Sequence, residues 1–249
     1  MNARTAKKAD RSGRRVWAVV MKRELVSFYT SPVAYIVTGL FLVFSAFLFF
    51  STFFLANRAE LRNFFSLLPV LFAFFIPALT MRQLAEEKRS GSIETLMTLP
   101  VTSRDVVAGK FLAAFIFTAS ILLPTLAYAV TAAVLGSPEL GPLACGYLGA
   151  LFLIAAFSAI GLFASALTKN QIVAFFIAFA ACILLALIDR FLVLLPAGIV
   201  GILGFLSAGA HFESVSRGII DTRDLLYFLS LTVLFLGLAE RTLESRRAL

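Results

Sequence analysis

His211 is the chain's only histidine, so any serine–histidine–aspartate chemistry would have to pass through it. The surrounding segment supplies Ser214, Ser216 and Asp221. It is a polar stretch without a nucleophile-elbow pattern, which argues against a hydrolase. One histidine also excludes a multi-histidine metal site. Cys145 and Cys182 both fall inside apolar runs and read as small packing residues rather than a disulfide or metal pair. Gly109-Lys110 is not a phosphate-binding loop. No glycine stands five residues before Gly109, and neither Ser nor Thr follows the lysine. The sequence therefore predicts no catalytic residue, no metal and no cofactor in this chain.

What remains is charge chemistry, and it concentrates in residues 82–110. This is the longest polar interruption between apolar runs, and it carries nine charges. Residues 82–89 are good helix formers and can prolong the apolar helix before them. Eight residues at ~1.5 Å each extend it by ~12 Å. Ser90-Gly91-Ser92 breaks that helix. Gly91 or Ser92 can cap a new one, with Glu94 in its first turn where a carboxylate suits the helix dipole. Pro100 stops it. Thr102-Ser-Arg-Asp105 reads as a capping-box-like start for the next helix.

The elements that hold this stretch are membrane-length. About 60% of the residues are hydrophobic and 14% charged, well below the ~25% charged typical of soluble domains. Apolar runs at about 33–55, 64–80, 111–135, 143–167, 172–188 and 225–239 predict six transmembrane helices. Pro69, Pro77 and Pro124 fall within spans, where prolines kink helices. Gly146, Gly149, Ser158, Gly161 and Ser165 give the fourth span small positions for close helix packing. The net charge of +8 sits beside these spans and suits anionic lipid rather than nucleic acid. No span carries a charge at mid-depth, which disfavours a proton- or sodium-coupled carrier.

The N-terminal region, 1–30, is basic. Residues 1–15 read as disordered, with no removable signal peptide. Residues 16–29 form an imperfect amphipathic helix at headgroup level, with Trp17 as its anchor and Lys22 and Arg23 toward anionic lipid. Val19 and Val26 violate its pattern.

Residues 191–206 are apolar but short, and broken by Pro196, Gly198, Gly201 and Gly204. They predict a re-entrant element within a segment 189–224 rather than a crossing. His211 and its neighbours would then form a short helix on the same side, with Glu213, Arg217 and Asp221 pairing at intervals of four. Together with Asp224 these residues are candidates for a gate or partner face. With six spans, seventeen Lys and Arg fall on the side of 1–30, 82–110, Lys169 and the tail 240–249, against five on the other. That side is expected to be cytoplasmic, with both termini there. If 191–206 crossed, the tail would face outward.

The run Glu86-Glu-Lys-Arg-x-Gly-x-Ile-Glu-Thr-Leu96, followed by Leu99-Pro-Val101 and the basic Gly109-Lys110, resembles the first cytoplasmic loop of ABC-2-type permeases. His211-Phe-Glu-Ser-Val-Ser-Arg-Gly-Ile-Ile-Asp-Thr-Arg-Asp-Leu-Leu-Tyr-Phe228 and Ser31-Pro-Val-Ala-Tyr35 are similar to the gliding-motility-type branch and to permeases of nitrous-oxide-reductase maturation. The resemblance implies an all-α fold with an N-terminal interfacial helix, six spans and re-entrant helices before the last. It implies a bacterial inner-membrane permease, paired with a second permease chain. A separate ABC ATPase would carry ATP and Mg, and a companion membrane subunit with an extracytoplasmic domain is expected. The helix from Gly91 would dock on the ATPase, with Ile93, Leu96 and Met97 as apolar contacts and Glu86, Glu87 and Glu94 as polar ones. Two alternatives stand beside export: force transmission to an extracytoplasmic partner without solute, and a self-sufficient channel or carrier.

Overall fold

The computed structural model describes the backbone of residues 3–56, 61–92, 101–136, 139–191, 201, 204–219 and 221–247. Within them no strand occurs. The principal elements are α1 (Ala3–Thr30), α2 (Pro32–Ala56), α3 (Arg62–Thr80), α4 (Arg82–Ser90), α5 (Ser103–Leu135), α6 (Leu140–Leu167), α7 (Gln171–Phe191), α8 (Ala208–Ser216) and α9 (Thr222–Arg247). Among the described residues six helical stretches are long and apolar enough to cross a membrane. They are α2, α3 continued by α4, α5, α6, α7 and α9.

Two boundaries differ from the sequence reading. The backbone is helical from Ala3, not from residue 16, since the Ala- and Lys-rich start has good helix propensity. The charged tail is the last turns of α9, which runs to Arg247.

α6 is the hub, with 72% of its apolar window buried against 22% for α2. Its glycines let neighbours approach closely. A Cβ on Gly146 would stand 2.5 Å from the Phe65 ring, and one on Gly161 would overlap the Thr80 hydroxyl. Around this hub Phe41 stacks on Phe72 at 5.5 Å, and Phe49 on Tyr128 at 4.9 Å. Such ring pairs add specificity to the burial of apolar surface, which packs close in lipid.

α3 passes into α4 through the single residue Met81, which keeps helical angles (φ −53°, ψ −30°). Gly91 then ends α4 in the left-handed region (φ +74°), a conformation that glycine adopts at little cost. Thr102 caps α5 by accepting the Asp105 amide at 3.2 Å. Residues 93–100, which include Ile93, Glu94, Leu96 and Met97, lie outside the described residues.

The bundle thus has two ends. One gathers α1, α4, the start of α5 and the ends of α6 and α9. There Leu84, Val106, Leu162, Ala166 and Leu243 share a small core. At the other end α8 packs over the end of α7: Ser207 donates to Asp189 at 3.3 Å, and Gly209 abuts the Ala186 carbonyl. The chain leaves α7 and enters α8 at this same end. Most of the segment read as re-entrant, 192–200 and 202–203, lies outside the described residues.

Candidate coupling site

Lys110 is the centre of the site. It is the eighth residue of α5, about two turns in, and is fully buried. A buried ammonium needs paired charge and hydrogen bonds on every side. Its Nζ donates to Glu24 of α1 at 3.0 Å and to the Gln83 carbonyl of α4 at 2.8 Å, and it lies 2.9 Å from a Glu87 carboxylate oxygen. Gln83 returns the contact by donating its side-chain amide to the Lys110 carbonyl at 3.0 Å. Arg23 closes the cluster, 2.8 Å from Glu24 and 2.9 Å from Glu87. Two cations and two carboxylates therefore tie α1, α4 and α5 at one point.

The backbone makes this possible. Gly109 lies against α1, and a Cβ there would stand 2.8 Å from the Trp17 carbonyl oxygen and from Val20. Only a bare α-carbon lets α1 lie this close to the Lys110 turn. Burial alone would raise the Glu24 carboxyl's pKa, but Lys110 and Arg23 beside it outweigh that and hold it below the usual carboxylate range. The Arg23 guanidinium is held above its ordinary value, chiefly by its hydrogen bond to Glu24.

A second tie joins α4 to the hub. The Ser165 hydroxyl of α6 accepts from the amides of Leu84 (3.0 Å) and Ala85 (2.9 Å) and donates to the Met81 carbonyl (2.9 Å). It inserts where α3 becomes α4 and takes up the backbone groups of that junction. The buried Lys88 ammonium donates to the Ala166 carbonyl at the end of α6. Arg104 and Glu240, 2.5 Å apart, join the start of α5 to α9.

The residues singled out from sequence separate accordingly. Glu86 is exposed and pairs along α4 with Arg82 at 3.4 Å. Gly91 is exposed at the tip. Glu87 faces inward, into the Lys110 cluster, so reversing its charge would place a third cation beside Lys110 and Arg23 and would not test docking alone. Trp17 is half-buried and Lys22 exposed, while Arg23 is engaged with the two carboxylates.

At the far end, His211 and Asp224 meet at 2.6 Å. Glu213 pairs with Arg217. Asp221 does not extend that ladder: α8 stops at Ser216, Gly218 turns the chain with φ +89°, and Asp221 starts α9 by accepting the Arg223 amide at 2.9 Å.

The sequence does not single out Glu24, Gln83, Lys88 or Lys110 as functional groups, and Ser165 reads there only as a small packing residue. One local signal was available. Glycine directly before the lysine at the foot of an apolar run marks a place where another backbone approaches a charge.

No curated protein matches the chain. Residues 34–239 match the family model described as ABC-2 family transporter protein, a stretch that holds four of the six apolar helices in full and most of the first and the last. The chain belongs to the ABC-2 transporter family, as a multi-pass membrane permease.

Proposed function

We propose that this permease is the membrane subunit of an ABC complex and converts nucleotide-driven movement of a separate ATPase chain into movement of its spans. The observation that carries this reading is the Lys110 cluster behind an exposed tip. α4 presents Glu86, Arg89, Ser90 and Gly91 outward, while its inner face is keyed to α1, α5 and α6. A push on the tip is passed to three helices at once, because packed, hydrogen-bonded interiors deform little. ATP and Mg then belong to the partner, and hydrolysis occurs there.

The end bearing α4 is placed in the cytoplasm, with both termini, in a bacterial inner membrane. The excess of Lys and Arg supports this. A second permease chain, like or unlike, completes the pathway. The stretches 31–35 and 211–228 support a place in the gliding-motility-type branch, close to nitrous-oxide-maturation permeases, with a companion subunit on the far side. His211, Glu213, Arg217, Asp221 and Asp224 lie at that far end; Glu213, Arg217 and Asp221 are the face offered to it, and the buried His211–Asp224 pair lies beneath them.

Purification of the tagged permease tests this. An ATP-binding chain should come down with it, and Glu86→Arg combined with Glu94→Arg should lose that chain while the permease remains folded. Recovery of a folded permease with no ATPase, from cells expressing its neighbouring genes, would refute the reading. In a background with Cys145 and Cys182 replaced by Ala, Ser90→Cys should resist an impermeant thiol reagent applied to intact cells. Ile219→Cys should react.

A further inference from the structure

The inner face of α1 lies on α5. Val20 packs against Gly109, Glu24 pairs with Lys110, and Phe28 stacks on Phe117 with ring centroids 4.9 Å apart. The contacts advance together along both helices, ending where Tyr29 donates to Ser120 at 3.1 Å. The two helices therefore run side by side in the same direction. The apolar part of α5 begins at Phe111, so the last turns of α1 lie at acyl-chain depth and its earlier turns outside it.

The opposite face is exposed. At about 100° per residue, Lys22, Val26 and Tyr29 share one narrow sector of the helix, with Val19 at its edge. Val19 is 67%, Val26 53% and Tyr29 41% exposed, and Lys22 is exposed as well. The valines that break the amphipathic pattern are thus the outward side of the helix, while the apolar Val20 and Phe28 are turned to α5. The same sector continues toward the N-terminus with different chemistry. Arg4, Lys7, Lys8, Arg11, Arg14 and Arg15 all fall within about 120° of the circumference, and that sector also holds Lys22, Val26 and Tyr29. Between Ala3 and Arg15 its positions are all Lys or Arg. The one acid of that stretch, Asp10, stands outside it.

We propose that this outward face of α1 docks on the anionic lipid of the leaflet it enters. Val19, Val26 and Tyr29 meet acyl chains, Lys22 reaches headgroup level, and the basic stripe before it lies on phosphates. Two observations favour a lipid surface over an acidic protein. The basic stripe continues, without a change of face, from an apolar stripe at membrane depth. Its charge is of one sign, and a polybasic segment beside a span gains about fivefold in affinity for an anionic leaflet with each Lys or Arg. The docking surface is thus residues 4–15 with the side of α1 turned away from α5, and not the side that carries Trp17. The inference rests on the bundle spanning a bilayer, not on the ATPase reading.

The test is amide hydrogen exchange over residues 4–15 of the full permease in nanodiscs. The discs hold phosphatidylcholine alone or with phosphatidylglycerol, each with and without any ATP-binding chain that accompanies the permease. Exchange should be more than about tenfold slower in the anionic discs, and raised salt should remove the difference. Arg11→Gln should give back about fivefold of that protection, and Arg15→Gln added to it should give back more. Ala6→Arg restores the net charge of the Arg11→Gln chain on the opposite side of the helix, and should not restore its protection. These positions lie outside the Lys110 cluster, so the melting midpoint should not change. Equal exchange in the two kinds of disc would overturn the proposal. Full rescue by Ala6→Arg would do the same, since net charge alone would then be at work. Protection that needs the ATP-binding chain and not phosphatidylglycerol would make the partner an acidic protein surface, and would overturn it too.

Discussion

The Lys110 ammonium lies 3.0 Å from a Glu24 carboxylate oxygen, although 86 residues separate the two in sequence. Lys110 has no exposed surface, and the Glu24 side chain is 13% exposed. Removing one partner of a buried pair leaves the other without compensation. Lys110→Met should therefore destabilise the permease by about 3–5 kcal/mol. Adding Glu24→Gln should recover part of this loss, since the orphaned carboxylate is then gone. Thermal unfolding of the purified permease reads both. A Lys110→Met midpoint equal to wild type would show that the cluster does not hold α1 to the bundle.

The same pair sets an acid limit. The Glu24 carboxyl titrates below its ordinary 4.5 in the folded chain. Its unfolded form therefore binds a proton at higher pH than its folded form. The stability it contributes is complete above about pH 4.5 and is lost as pH falls through the lower folded value. The unfolding midpoint of the wild type should fall along that limb. Glu24→Gln should flatten it while lowering the midpoint at neutral pH. Parallel pH profiles for the two proteins would contradict the sign.

Local chemistry made parts of this site legible in the sequence. Gly91 stops α4 and Thr102 starts α5 because a left-handed cap and a hydroxyl cap are short-range devices. The six spans follow from apolar length alone. Lys110 was not legible, because its partners come from helices far apart in the chain, and no periodicity pairs them. Glu86 and Glu87 are adjacent and chemically equal; only the packing of Gln83, Leu84 and Lys88 turns Glu87 inward. The ladder expected from Glu213, Arg217 and Asp221 failed at Gly218, where a positive φ ended the helix that the spacing required.

Ser165 is the most sensitive point of the α3–α4 junction. Its one hydroxyl satisfies two buried amides and one partly buried carbonyl. Ser165→Ala keeps the volume and removes all three bonds. It should cost about 1–3 kcal/mol. The loss should appear as faster hydrogen exchange at the Leu84 and Ala85 amides, and ATPase stimulation in the complex should fall as the junction loosens. Unchanged exchange at those two amides would mean that α4 is held by Lys110 and Lys88 alone.

At the far end, His211 is held by acceptors on both sides. Its Nε2 lies 2.9 Å from the Phe205 carbonyl, and its Nδ1 2.6 Å from Asp224 Oδ1. A carbonyl can only accept, so Nε2 is the donor in that contact. The ring stacks on Tyr227 with centroids 4.2 Å apart. Asp224 Oδ2 already has no hydrogen-bond partner among the described residues. His211→Phe keeps the stacked ring and leaves the whole Asp224 carboxylate, on a side chain 9% exposed, without a donor. It should cost about 1–3 kcal/mol. Asp224→Leu added to it removes the orphaned acceptor, so the double variant should be more stable than the sum of the two single losses. Strict additivity in thermal unfolding would show that the two residues do not act as a pair, and that α8 is held to α9 by apolar packing alone.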